Sequence, residues 1–202
     1  MPFSDEHNAV FIHVPKTAGT SVEVALDMQH RKNLFEFDPI QNNFKQHWPA
    51  TQVRKRLGPE KYDEMFSFAF VRHPISRMLS EYHYLKRLGS SFVLHQSPDS
   101  FIKKIHDIWG MWEFYPREMR QHIRTQTFML YNEEGKLMVD FVGKFENLQE
   151  DWQHVCDQLG ISEELPFSQE SANKDDWSEF SEESIATIRK LYADDFKNFD
   201  YE

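Results

Sequence analysis

An α/β fold of three layers, a mainly parallel sheet with helices on both faces, is predicted by two features of the 202-residue chain. In three places a short apolar run of strand length gives way to apolar residues at helical spacing, and turn-forming residues sit at each switch. A single domain, residues 1–202, is expected, because a chain of this length buries roughly 70% of its unfolded surface.

The first switch is AVFIHVPKTAGTS, Ala9 to Ser21. Val10, Phe11, Ile12 and Val14 read as a buried strand that Pro15 ends, since proline cannot donate to a ladder. From Val22 the apolar residues Ala25 and Leu26 follow helical spacing. Leu34 to Phe44 reads as loop and leads to His47. Pro49 suits a first helical turn, and Val53 with Leu57 continues it to Gly58. A short helix from Pro59 to Met65 precedes the second strand, Phe66 to Val71, which Arg72, His73 and Pro74 terminate. The following helix carries Ile75, Met78, Leu79, Tyr82 and Leu85 on one face and Arg77, Ser80 and Tyr84 on a neighbouring one. Phe101, Ile105, Ile108 and Trp109 mark another helix, while Gly110 to Tyr131 mixes aromatic and basic residues without a secure period. Leu137 to Phe145 reads as the third strand, and Asn147 as the cap of a helix bearing Leu148, Trp152, Val155, Cys156 and Leu159 up to Gly160. The last helix begins near Ser181.

Composition limits what the chain does. Hydrophobic content of 40% and charged content of 28% are those of a globular protein. No apolar run approaches the roughly 20 residues of a membrane span, and MPFSDEHNAV lacks a signal pattern, so a cytoplasmic protein without an integral membrane segment is expected. Cys156, the one cysteine, is expected to be a buried structural thiol. The net charge of −10 argues against nucleic-acid binding. The charge is uneven: residues 1–132 hold 17 Lys+Arg against 14 Asp+Glu, and residues 133–202 hold 6 against 19. The basic residues thus gather where an anionic ligand would bind.

The segment Lys16 to Ser21 is the turn into a helix N-terminus, where unpaired backbone N–H groups favour phosphate or sulfate. Lys16 adds a charge, and Thr17, Thr20 and Ser21 add hydroxyls around Ala18 and Gly19. The nucleoside triphosphate loop ends Gly-Lys-Ser/Thr. Here the lysine precedes the glycine. PKTAGTS instead resembles the 5′-phosphosulfate loop of sulfotransferases, in particular the carbohydrate-type family that includes heparan sulfate and chondroitin sulfotransferases. FVRHPISRMLSEY strengthens the resemblance: the family has an Arg at a strand end and a Ser eight positions later, both on the 3′-phosphate of the donor, and Arg72 and Ser80 fill those positions. Arg77 also matches the pattern. Further likenesses are His47 ahead of RKRLGPE, the stretch Val142 to Leu148, and the ending Tyr192 to Tyr201. Relatives commonly carry Asn, a basic residue and Ser or Thr over the donor. Asn173 and Lys174 fit and Asp175 departs, which leaves Lys174 as the weakest of the expected donor contacts.

The resemblance implies a P-loop-like fold and an enzyme that moves a sulfuryl group from 3′-phosphoadenosine 5′-phosphosulfate (PAPS) to an acceptor hydroxyl, leaving adenosine 3′,5′-bisphosphate. His47 is the candidate base, its ordinary pKa near 6.5 suiting proton removal at neutral pH. Lys16 would stabilise the leaving group, and the loop amides from Thr17 to Ser21 would hold the 5′-phosphate. The scheme needs no metal. His13 reads as a packed residue of the first strand, and His122 carries no motif. A saccharide is the family-weighted acceptor, with Trp48, Trp109, Trp112 and Tyr115 as candidate stacking faces and Arg117, Arg120 and Arg124 as candidate anion contacts. The rival readings are an ATP- and Mg²⁺-dependent phosphotransferase and a nucleotide-binding module without catalysis.

Overall fold

The computed structural model describes residues 3–28, 37–38, 43–115, 119–166 and 176–202. The expected contact from Lys174, and Arg117, lie outside the described residues. A four-stranded sheet runs β1 (Phe3–Ser4), β2 (Ala9–Ile12), β5 (Phe66–Val71), β6 (Phe141–Lys144) in that spatial order. β1 is an antiparallel edge, and β2, β5 and β6 are parallel, with Ile12 opposite Ala69 and Val71 opposite Lys144. Each parallel strand feeds a helix: α1 (Gly19–Ala25), α4 (Pro74–Arg87) and α7 (Leu148–Leu159). The C-terminal ends of the three strands therefore open on one edge, where α/β sheets bind ligands. Between β2 and β5 lie a two-stranded ribbon, β3 (Phe37–Asp38) and β4 (Asn43–Phe44), a 3₁₀ turn at Lys45–His47, α2 (Ala50–Leu57) and α3 (Pro59–Glu64).

Alternation along the strands sends side chains to two layers, and both are apolar because both faces are covered. Val10, Ile12, Ala69 and Val71 pack with Trp48 and Val53 beside α2, with Met129 and Leu130 of α6 (Gln126–Leu130), and with Phe199 beyond α9 (Ala193–Asn198). Phe11, Phe68 and Phe70 pack on the other face against Val22 and Leu26, and against Trp152, Val155 and Cys156 of α7. A third cluster joins α4 to α5 (Pro98–Asp107) and α8 (Glu182–Leu191) through Met78, Tyr82, Phe101, Ile105 and Ile188. Among the described residues no helix is long and apolar enough to cross a membrane.

Three local expectations change. The third strand is shorter than Leu137 to Phe145: Leu137 makes only an isolated bridge to Tyr131, and pairing with β5 begins at Phe141. Asp140 interrupts the run because its backbone and carboxylate bond across to Ser67. Asn147 precedes α7 without a side-chain capping bond. The final helical pattern divides at Tyr192 into α8 and α9, and this break places Asp195 where its carboxylate caps α6 through the amides of Gln126 and Thr127, each at 2.8 Å.

Candidate functional site

The turn after β2 holds an unusual backbone. Lys16 and Ala18 lie in the left-handed region, at φ 71° and 68°. The Thr17 hydroxyl, fully buried, donates to the Val14 carbonyl at 2.9 Å and so pins the turn. The amides of Ser21 and Val22 bond the Ala18 carbonyl, so the N–H groups of residues 18 to 20 precede the helix's own bonding. Thr20 is exposed, and Ser21 is buried with its N–H already engaged. Gly19 is required for a reason the sequence did not supply: a Cβ there would fall inside the His13 imidazole. Gly19→Ala is therefore expected to destabilise the fold by roughly 1 to 3 kcal/mol, as overpacking does. Thermal unfolding should show a midpoint several degrees lower, and an unchanged midpoint would contradict this contact.

His47 sits 7% exposed at the end of its 3₁₀ turn and donates from Nδ1 to the His13 carbonyl at 3.0 Å. A carbonyl only accepts, so this bond fixes the tautomer and leaves Nε2 with its lone pair. The sequence missed the surroundings. His13 and His122 both pack edge-on against His47, with ring centroids 4.6 Å and 4.9 Å away. His13 Nδ1 donates to Glu23 Oε1 at 2.8 Å, and the other Glu23 oxygen accepts from Gln46 at 2.8 Å. His122 Nδ1 donates to Glu81 Oε2 at 2.9 Å. Three imidazoles thus stand in a row between two buried carboxylates. Burial pushes the His47 pKa well below its ordinary value; the neighbouring His13, His122 and Lys16 push the same way, against the backbone bond.

Lys16 places its ammonium 3.9 Å from the centre of the Tyr84 ring. Burial lowers its pKa, Glu81 opposes the shift, and Arg87 and Arg72 add to it. Arg72, 7% exposed, extends from the end of β5, donates to the Lys16 carbonyl at 3.4 Å and lies 4.2 Å from the centre of the Phe145 ring. Gln126 fixes its backbone from both sides, accepting from the Arg72 N–H at 2.9 Å and donating to its carbonyl at 2.8 Å. His73 caps α4, accepting from the Ile75 amide at Nδ1 and stacking on Trp177 at 4.5 Å. Ser80 is half-buried on α4. It lies one turn beyond Ser76, which accepts from the Trp177 indole, and one turn before Tyr84. Lys16 and Arg72 thus lie together at the strand ends, and Ser80 stands one turn before Tyr84, the ring that Lys16 covers. Two partly desolvated cations so placed suit a ligand with two anionic groups.

Arg77 has a different task. Fully buried, it donates to the carbonyls of His122 and Arg124 at 2.9 and 2.8 Å. It holds the chain that carries His122. The proposed stacking faces are mostly core: Trp48 and Tyr115 are 1% and 2% exposed, and Trp109 packs edge-on against Tyr192. Arg120 bonds the carbonyls of Tyr115 and Glu113, while Arg124 covers the Phe128 ring. These side chains look to the protein because they close the irregular segment between α5 and α6.

The fold agrees with comparison to known proteins. A model of the sulfotransferase family matches residues 1–202, and the chain belongs to that family of PAPS-dependent enzymes. It is 32% identical over 129 residues to an uncharacterized protein of Archaeoglobus fulgidus, covering 64% of this chain and 96% of that protein. Over 198 residues it is 24% identical to carbohydrate sulfotransferase 14 of Danio rerio, covering 81% of this chain and 49% of the relative. The chain thus spans about half of that relative's length.

Proposed function

We propose that the protein transfers a sulfuryl group from PAPS to a hydroxyl of a saccharide acceptor, with His47 as general base. The observation that carries this reading is the anchoring of His47: Nδ1 is committed to the His13 carbonyl, so Nε2 is the atom left to take a proton, beside Lys16. When bound, the donor supplies the sulfuryl group on a phosphate leaving group. The acceptor oxygen forms the new S–O bond as the S–O bond to that phosphate breaks, and the acceptor's proton passes to His47 Nε2. Lys16 balances the charge that grows on the leaving oxygen, and the amides of residues 17 to 20 with the Ser21 hydroxyl hold the 5′-phosphate. Arg72 and Ser80 hold the 3′-phosphate, and Lys174 is a further proposed donor contact. The scheme draws on no metal. The saccharide follows the similarity to a carbohydrate sulfotransferase, and the cytoplasm is the proposed setting.

Two experiments test this reading. Purified protein incubated with [³⁵S]PAPS and a panel of desulfated glycosaminoglycans is expected to label at least one of them. Labelling of none of them, with simple phenols labelled instead, would overturn the saccharide assignment. The depressed His47 pKa also has a signed consequence. A base that loses its proton at a lower pH than usual stays active into mild acid, so the acidic limb of kcat/KM is expected below about pH 6.5. A limb centred near pH 7 or higher would contradict the buried, neutral imidazole.

A further inference from the structure

Resting on that function, the structure carries a second assignment beside His47. His122 is tied at Nδ1 to the Glu81 carboxylate, an acceptor as the backbone carbonyl is for His47, so its neutral ring carries the lone pair on Nε2. Its ring meets the edge of His47 and stacks on Tyr84 at 5.8 Å, the ring that carries Lys16. Its side chain is 13% exposed, whereas Glu81 behind it is fully buried. Helix α4 commits two buried ionic residues one turn apart to this single position: Arg77 grips the His122 carbonyl and Glu81 grips the ring. Glu81 Oε1 is buried without a hydrogen-bond partner among the described residues. Such a carboxylate is costly to keep as packing alone. A buried carboxylate that orients an imidazole beside a reacting group is the arrangement of an acid–base pair.

We propose that His122, oriented by Glu81, is a second catalytic residue of the transfer and shares the acceptor's proton with His47. Both Nε2 atoms accept from the acceptor hydroxyl. As the S–O bond forms, the proton leaves the acceptor oxygen for this imidazole pair, and the Glu81 carboxylate balances the positive charge so created. That balance is needed because the charged neighbour of His47 is the cation Lys16, while Glu23 is turned to His13 and Gln46. His122 is thereby a touching residue and Glu81 a positioning one.

The test uses the whole protein with [³⁵S]PAPS, following transfer to the glycosaminoglycan panel and to water, together with titration of adenosine 3′,5′-bisphosphate. His122→Asn keeps a donor near the Nδ1 position for Glu81 and deletes Nε2. It is expected to lower kcat roughly 10²-fold, the size of a lost acid–base contribution, with bisphosphate affinity within about threefold. Glu81→Gln removes a charge that favours the protonated imidazoles, so the acidic limb is expected to move to lower pH, a shift that a packing role would not produce. If both variants match wild type in rate and limb while His47→Ala is inactive, the His122 assignment is overturned and the proposed function stands. If wild type neither binds the bisphosphate nor transfers sulfate, the function falls and this assignment with it. Should a variant fail to fold, ring-¹⁵N histidine spectra of wild type decide: His122 is expected protonated at Nδ1 and bare at Nε2, and the opposite tautomer would exclude it.

Discussion

His47→Ala is expected to lower kcat by roughly 10² to 10⁴ while leaving the affinity for adenosine 3′,5′-bisphosphate within about threefold of wild type. The imidazole's hydrogen bond goes to the His13 carbonyl, a backbone group that remains when the ring is removed. The cavity left behind is bordered by the rings of His13 and His122, each held by its own carboxylate, so the neighbours keep their positions. Steady-state kinetics with labelled donor, paired with calorimetry, reads both quantities. A variant within threefold of wild type in kcat would remove His47 from the mechanism.

Arg72→Ala is expected to cost about 1.5 to 3 kcal/mol of the preference for adenosine 3′,5′-bisphosphate over 5′-AMP, a charge-assisted hydrogen bond to the 3′-phosphate being lost. Because the comparison is between two ligands that differ in that phosphate alone, a general loosening of the turn cancels. Some loosening is expected, since Arg72 also donates to the Lys16 carbonyl and covers Phe145. Its backbone should hold, fixed by Gln126 on both sides and through Gln126 by Asp195. Equal losses for both ligands would show that Arg72 shapes the turn without reading the 3′-phosphate.

The strand-to-helix switches at Ile12, Val71 and Lys144 were legible because each couples a change of hydrophobic period to a residue that stops a strand or starts a helix, as Pro15 and Pro74 do. Lys16 and Arg72 come together for a related reason: they sit at those switches, which the topology brings to one edge of the sheet, whereas Ser80 lies inside the helix that follows the second. The row of imidazoles was not legible. His13 and His122 are 109 positions apart by their numbers, and only folding lays the 119–125 segment against α4 through Arg77 and Glu81. Glu23 and Glu81 are at most 1% exposed, and nothing in their spacing separates them from helix-surface charges. Tyr115 and Arg120 turn to the protein, and the spacing of the aromatic and basic residues around them carries no period that separates a ligand-facing ring from a core one. Gly19 looked like a loop glycine and is instead the space that the His13 ring occupies.

The most direct test of the central claim is calorimetric titration of the wild-type protein with adenosine 3′,5′-bisphosphate, 5′-AMP, and ATP with Mg²⁺. Lys16 and Arg72, together at the strand ends, are expected to make the bisphosphate the best of the three ligands, with no dependence on Mg²⁺. Tighter binding of ATP with Mg²⁺ would contradict the account and favour a phosphotransferase, and binding of none of the three would leave the fold of a sulfotransferase without its site.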